Sequence, residues 1–195
     1  MVRIADAPIE INLPRMTDKE FIRFCSDNPD LRIERDKDRN IIIMAAAFSI
    51  TGIYEGIVYR AVANWNAAHS NGWVFSASAG FTLPNGAVRS PDTSWLSNEK
   101  WQKLTKAEKN SFAPVCPEFI VEIRSETDRL KDLKAKMEEW MENGVQLGWL
   151  IDPGKEKAWI YRADSCITEV IGFNQSLSGE GILPAFTFEL SLLKI

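Results

Sequence analysis

The 195-residue chain is poor in the side chains that most metal and nucleophile chemistry uses. It has one histidine, His69. A zinc site built on several histidines is excluded, and a Ser-His-Asp triad would have to use that residue. Its three cysteines, Cys25, Cys116 and Cys166, are odd in number, far apart and form no C-x-x-C. Neither a disulfide framework nor a zinc ribbon is supported, and reduced thiols in a cytoplasmic protein are the simplest reading. No apolar run reaches the roughly 18 residues of a membrane span. Residues Met1 to Ile11 carry Asp6 and Glu10 and no apolar h-region, so no signal peptide is expected. A basic excess is also missing. There are 23 Lys and Arg against 27 Asp and Glu, a net charge of −4. As a sum this opposes a general nucleic-acid binder, which needs cations to neutralise phosphates.

What is present is globular in character, with 45% apolar, 26% charged and 10% aromatic residues. A chain of this length buries roughly 70% of its unfolded surface, so it needs no disulfide or metal to hold it. One domain over residues 1–195 is expected, with an N-terminal arm at 1–15 and a β-rich extension at 163–195. Thr17 and Glu20 form a capping box that opens a helix, which ends before Asn28-Pro29. Leu31 to Arg35 and Ile41 to Ala47 read as a hairpin around the turn Asp36 to Asn40. Ile57, Val58, Ala61, Val62 and Trp65 recur at helical spacing, predicting a helix over about 53–69 that Asn71-Gly72 ends. Short strands follow at Trp73 to Phe75, Gly80 to Leu83 and Ser90 to Leu96, then one or two short helices between Asn98 and Asn110. Phe119 to Ile123 reads as a central strand buried on both faces. A helix over Leu130 to Met141 comes next, then strands at Leu147 to Ile151 and Ala158 to Tyr161. In the tail, Ile167 to Ile171 and Thr187 to Leu190 suggest a further hairpin. The order predicts a mixed α/β fold with a mixed sheet.

Two carboxylates stand out by context. Asp92 follows a proline on a short strand, and Glu122 interrupts an apolar strand, on one face with Glu118, Ile120 and Arg124. A charge there is costly to bury without compensation. If the two lie on neighbouring strands ~4 Å apart, they repel by roughly 4 kcal/mol at an effective dielectric of ~20. A divalent cation removes that penalty, and Mg²⁺ suits one or two carboxylates with waters left for a phosphate. The alternative is an internal ion pair for Glu122 and a turn cap for Asp92. A basic partner could be Arg124, or Lys134 or Lys136 flanking the apolar stripe of the following helix, and periodicity does not choose between the lysines.

Pro91-Asp92, a spacer, then Glu122-Ile123-Arg124 has the order of the PD-(D/E)xK nuclease signature. The wider text is more specific. Ser90 to Trp95, Cys116 to Asp128, Asn143 to Pro153, Leu177 to Glu180 and Leu183-Pro184 resemble the Uma-two "putative restriction endonuclease" family over roughly residues 16–190, closest to its cyanobacterial-type members. The resemblance implies a restriction-endonuclease-like core with flanking helices and a C-terminal β extension. It places the acidic pair on Asp92 and Glu122, with the main-chain carbonyl of Ile123 as a third metal ligand. The family lysine, carried by the next helix in a K-x-x-x-Y pattern before a glycine, falls on Lys136 with Trp140 in place of tyrosine. Arg124 stands where the signature has lysine. Ile50 stands where relatives often carry an acid before Thr-Gly, so Glu34 or Glu55 would have to substitute.

The expected activity is hydrolysis of DNA phosphodiester bonds with Mg²⁺ or Mn²⁺. Asp92 and Glu122 would bind metal, Lys136 would position or activate water, and Arg124 would contact phosphate or steady the carboxylates. The alternative is a catalytically silent DNA-binding or protein-interaction module, favoured by Ile50, Arg124 and the net charge. A homodimer is expected, with the seven tryptophans, Trp149 and Trp159 among them, as either interface or core. Locally, Arg124 to Lys136 holds five basic residues against three acidic ones, which readmits a DNA substrate despite the negative total.

Overall fold

The computed structural model describes residues 9–11 and 16–195. Most of the expected N-terminal arm lies outside the described residues. In chain order the elements are β1 (Ile9–Ile11), α1 (Asp18–Asp27), β2 (Arg32–Arg35), β3 (Ile41–Met44), α2 (Ser49–His69), β4 (Gly72–Ser76), β5 (Phe81–Thr82), β6 (Val88–Arg89) and β7 (Thr93–Ser97). There follow α3 (Asn98–Lys103), α4 (Lys106–Lys109), β8 (Phe119–Ile123), α5 (Leu130–Glu142), β9 (Leu147–Asp152), β10 (Lys157–Arg162), β11 (Ile167–Ile171), β12 (Ser176–Ser178) and β13 (Thr187–Glu189). Mixed α/β architecture is as expected, and the capping box at Thr17 and Glu20 is formed.

Among the described residues the strands form three sheets. The largest runs β11-β10-β9-β8-β7-β4, and a five-stranded one runs β1-β3-β2-β6-β5. Only β8 and β9 pair in parallel in the large sheet. A parallel pair needs a crossover, and α5 provides it. Strand alternation then assigns the two faces of β8. Phe119, Val121 and Ile123 pack toward Val58, Val62 and Trp65 of α2. Ile120 packs the other way, toward Met137 and Trp140 of α5. Glu122 shares the face of Ile120, so period two alone delivers its carboxylate beneath α5.

Three expectations are corrected. Asp92 does not lie on a strand; it sits in the bend just before β7. The residue that ends α2 is Ser70, whose φ of 51° is left-handed, while Gly72 already belongs to β4. The tail strands do not pair with each other. β11 extends the large sheet against β10, and β13 pairs with β12. Of the two readings of Trp149 and Trp159, the core one holds: they are 0% and 5% exposed, so neither supplies an interface. Trp149 is sandwiched by Phe119, Phe186 and Phe188, which fastens the tail to the α2 face. Among the described residues no helix is long and apolar enough to cross a membrane.

Gly72 is fixed by close approach rather than by backbone angle. A Cβ there would collide with the Leu96 carbonyl and the Trp95 indole. That indole donates to Asn66 Oδ1 at 2.8 Å and ties β7 to α2. Gly72→Ala should therefore destabilise the protein by about 1–3 kcal/mol, as overpacked sites do. Urea unfolding of the two proteins measures it; equal midpoints would show that β4 shifts freely.

Candidate active site

The candidate site lies where the large and the five-stranded sheets meet. Thr93 pairs with Val121 in the antiparallel register of β7 and β8. One step along that ladder stand Asp92 and Glu122, which are 7% and 2% exposed. The Ile123 amide donates to Asp92 Oδ2 at 2.7 Å. This bond sets the Asp92 carboxylate against the end of β8. The structure thus ties Ile123 to the site through its N–H.

Glu122 is held by two residues of α5 one turn apart. The Lys136 ammonium lies 2.9 Å from Oε1 and 3.1 Å from Oε2. The Trp140 indole N–H donates to Oε1 at 2.9 Å. Spacing of i and i+4 puts both side chains on one helix face. Lys136 also reaches Glu34 Oε1 at 3.1 Å and the Ser90 carbonyl at 3.3 Å. Of the two lysines left open by periodicity, Lys136 enters the site. Lys134 lies over the Trp159 ring, 4.6 Å from its centroid.

The hairpin supplies the rest. Alternation in Arg32-Ile33-Glu34-Arg35 sends Ile33 into the small core and Arg32 and Glu34 into the site. Arg32 Nη2 lies 3.2 Å from Asp92 Oδ1. Glu34, 2% exposed, also accepts from the Ser90 amide at 3.0 Å and from Arg89 at 3.1 Å. Arg89 in turn pairs with Glu139 at 2.6 Å. Of the two acids offered in place of Ile50, Glu34 is within the hydrogen-bonded cluster. Glu55 is half-buried and feels the Asp92 charge without a bond to the group.

Arg124 is not brought to the pair. Its guanidinium donates to Asp152 Oδ2 at 2.7 Å and to the Asp128 carbonyl at 3.0 Å. The basic stretch from Arg124 to Lys136 is largely spent internally. Arg124, Lys134 and Lys136 have the partners named, leaving Arg129 and Lys131 exposed. Sequence reasoning missed Arg32, Arg89 and the role of the Trp140 indole. The signal for Arg32 was in the text, since it stands two residues from Glu34 on the same strand.

Three buried carboxylates face three cations, yet their charges do not balance evenly. Burial raises the Asp92 carboxyl more than Lys136 and Arg32 lower it. Glu122 is raised to about 7 by burial, against Lys136, with Asp92 and Glu34 adding repulsion. For Glu34 burial acts upward too, but Lys136, Arg89 and the Ser90 amide prevail and hold it low. Lys136 is penalised by burial, but the three carboxylates outweigh that and raise it. Its ammonium therefore stays protonated at neutral pH.

Among the described residues no group of three or more His, Cys, Asp or Glu side chains is arranged to hold a metal ion. The donor set nonetheless fits a hard cation. Asp92 and Glu122 offer oxygens only, and Mg²⁺ binds through one or two carboxylates while keeping waters.

Residues 18–192 match the sequence family described as "Uma2: Putative restriction endonuclease". No curated protein matches the chain. Among solved structures it resembles a "putative nuclease belonging to DUF820" from Anabaena variabilis ATCC 29413. The two share 16% identity over 92% of this chain and 97% of that one, with a TM-score of 0.75. At that identity the likeness is one of fold.

The raised Glu122 carboxyl has a pH signature. Below its ordinary value of 4.5 it is protonated in both states; from there to about 7 only the unfolded chain releases the proton. The native state therefore loses stability over that window and levels off above it. Urea unfolding between about pH 5 and pH 8 should show wild type losing on the order of 2 kcal/mol relative to Glu122→Gln. A difference independent of pH would mean that Glu122 is ionised throughout.

Proposed function

This chain belongs to the Uma2 family, and on that premise we propose that it is a metal-dependent endonuclease hydrolysing DNA phosphodiester bonds at Asp92, Glu122 and Lys136. The observation that carries this reading is the Lys136 ammonium, shared by Glu122 and Glu34 beside Asp92. Asp92 and Glu122, with the Ile123 main-chain carbonyl, would hold Mg²⁺ or Mn²⁺, which supplies a Lewis acid for the phosphoryl oxygen and a more acidic water.

The chain's own groups do the following. The Ile123 amide fixes the Asp92 carboxylate, and the Trp140 indole fixes that of Glu122. Lys136, being protonated, orients the attacking water and stabilises negative charge on the phosphoryl group; it does not act as a base. Glu34 and the Ser90 carbonyl hold the ammonium in place. Arg124 acts at one remove, anchoring the chain after β8 to Asp152. One domain and a homodimer remain part of the proposal, the dimer on a surface other than Trp149 and Trp159.

A second reading is a silent module that keeps the fold and binds DNA or a protein. One observation favours it: each of the four oxygens of Asp92 and Glu122 already has a donor from the protein.

Supercoiled plasmid with Mg²⁺ or Mn²⁺ separates the two. The nuclease reading expects nicking that chelator abolishes and that Asp92→Asn, Glu122→Gln and Lys136→Ala each reduce about 100-fold or more. Arg162→Gln, far off on the Glu180 pair, should cut normally. Cleavage that survives both carboxylate changes would sink the site assignment. Absent cleavage, with no heat of Mg²⁺ binding but retained DNA, would establish the silent module.

A further inference from the structure

We infer that Arg32 is the residue that receives the substrate's phosphodiester, and that Asp92 holds its guanidinium ready until a nucleic-acid strand arrives. This rests on the nuclease reading and names a binding residue within it.

Four observations carry it. Arg32 bridges a buried acid and an open groove: its side chain is 30% exposed, while that of Asp92 is 9% exposed. The groove, of about 500 Å³, is lined by Pro29, Leu31, Arg32, Ala77, Ser90 and Phe112 among others. It borders a second hollow of about 490 Å³ across Cys25, Ser78 and Phe112, where Lys109 sits over the Trp101 ring at 5.1 Å. A cation-flanked aromatic surface leading away from a guanidinium suits a nucleic-acid strand, whose bases stack while its phosphates are neutralised.

The hydrogen bonds of Arg32 are incomplete as well. Nη2 is spent on Asp92, but the buried Nε–H has no partner. Buried donors left unmade are costly, so the protein alone does not meet the hydrogen-bonding demand of this guanidinium. A guanidinium's planar fork suits two phosphate oxygens at once. Finally, Arg32 is on the same strand face as Glu34, which holds Lys136. A phosphate on Arg32 would therefore lie beside the acids and the ammonium, at the level of Asp92. No such position is open to Arg124, whose donors go to Asp152 and Asp128.

Asp92 competes with the phosphate for the same guanidinium, and that gives a test a purely structural role would not meet. Fluorescence anisotropy of a labelled single strand of about 20 nucleotides, and of its duplex, is measured in chelator over a range of salt. The proteins are wild type, Arg32→Gln, Asp92→Asn and the double variant, which leaves no uncompensated buried charge and so keeps a folded comparison. Arg32→Gln should bind about tenfold more weakly, with the salt slope smaller by about 0.7 for the single strand or 0.9 for the duplex. Asp92→Asn should bind several-fold more tightly, and that gain should vanish in the double variant. If Asp92→Asn gains equally with and without Arg32, the gain is general electrostatics and the assignment of Arg32 is overturned. An unchanged salt slope in Arg32→Gln overturns it too, with the nuclease reading left standing. If wild type binds neither strand nor duplex in chelator, the assignment of Arg32 is overturned, while plasmid cleavage with Mg²⁺ decides the nuclease reading separately.

Discussion

One ammonium joins the two halves of this structure. Lys136 extends from α5, which packs on the large sheet, and its three donors go to Glu122 of that sheet, Glu34 of the other sheet and the Ser90 carbonyl between them. Its neighbours could not stay buried without it. Removing one member of a buried ion pair leaves an uncompensated charge that costs several kcal/mol, so each of the acids depends on the cation and the cation on them. The helix, the hairpin and the segment from Arg89 to Asp92 are positioned by the same contact set.

That arrangement explains why a hydrophobic strand can carry a glutamate. Phe119 to Ile123 is buried at every position, and Glu122 would be intolerable among only apolar neighbours. The face it shares with Ile120 is covered by α5, whose fourth-residue spacing offers an ammonium and an indole N–H together. Compensation is nevertheless incomplete, since both Asp92 and Glu122 remain raised. A site that keeps a residual demand for positive charge is poised to take up a cation or to hold a proton, and perturbed carboxylates of this kind cluster at functional centres.

The negative total charge takes on a different meaning once the partners are known. The basic stretch after β8 suggested a local cationic surface, but three of its five cations are committed to Asp152, Trp159 and the buried acids. Beside the buried acids, a cation that borders the open groove is Arg32, which the stretch does not contain. Charge counted along a sequence cannot separate a cation facing solvent from one neutralised inside, because the distinction is set by neighbours distant in the chain.

The sequence by itself determined the local elements and the residues of the acidic pair. Thr17 and Glu20 specify a helix start by bonds three residues apart, and the alternation of Phe119 to Ile123 assigns Glu122 to one face without reference to anything else. The helical period of α5 put Lys134 and Lys136 on either edge of its stripe and could go no further. Tertiary structure alone decided that Lys136 enters the site, that Arg124 turns to Asp152 and that Glu34, rather than Glu55, joins the cluster. It also separated the two tail strands into different sheets and brought in Arg32 and Arg89. The physical reason is range. Caps, turns and periodicity act over a few residues. The contacts between Arg32 and Asp92, Lys136 and Glu34, and Arg89 and Glu139 span 60, 102 and 50 residues and exist only after two sheets have closed on each other.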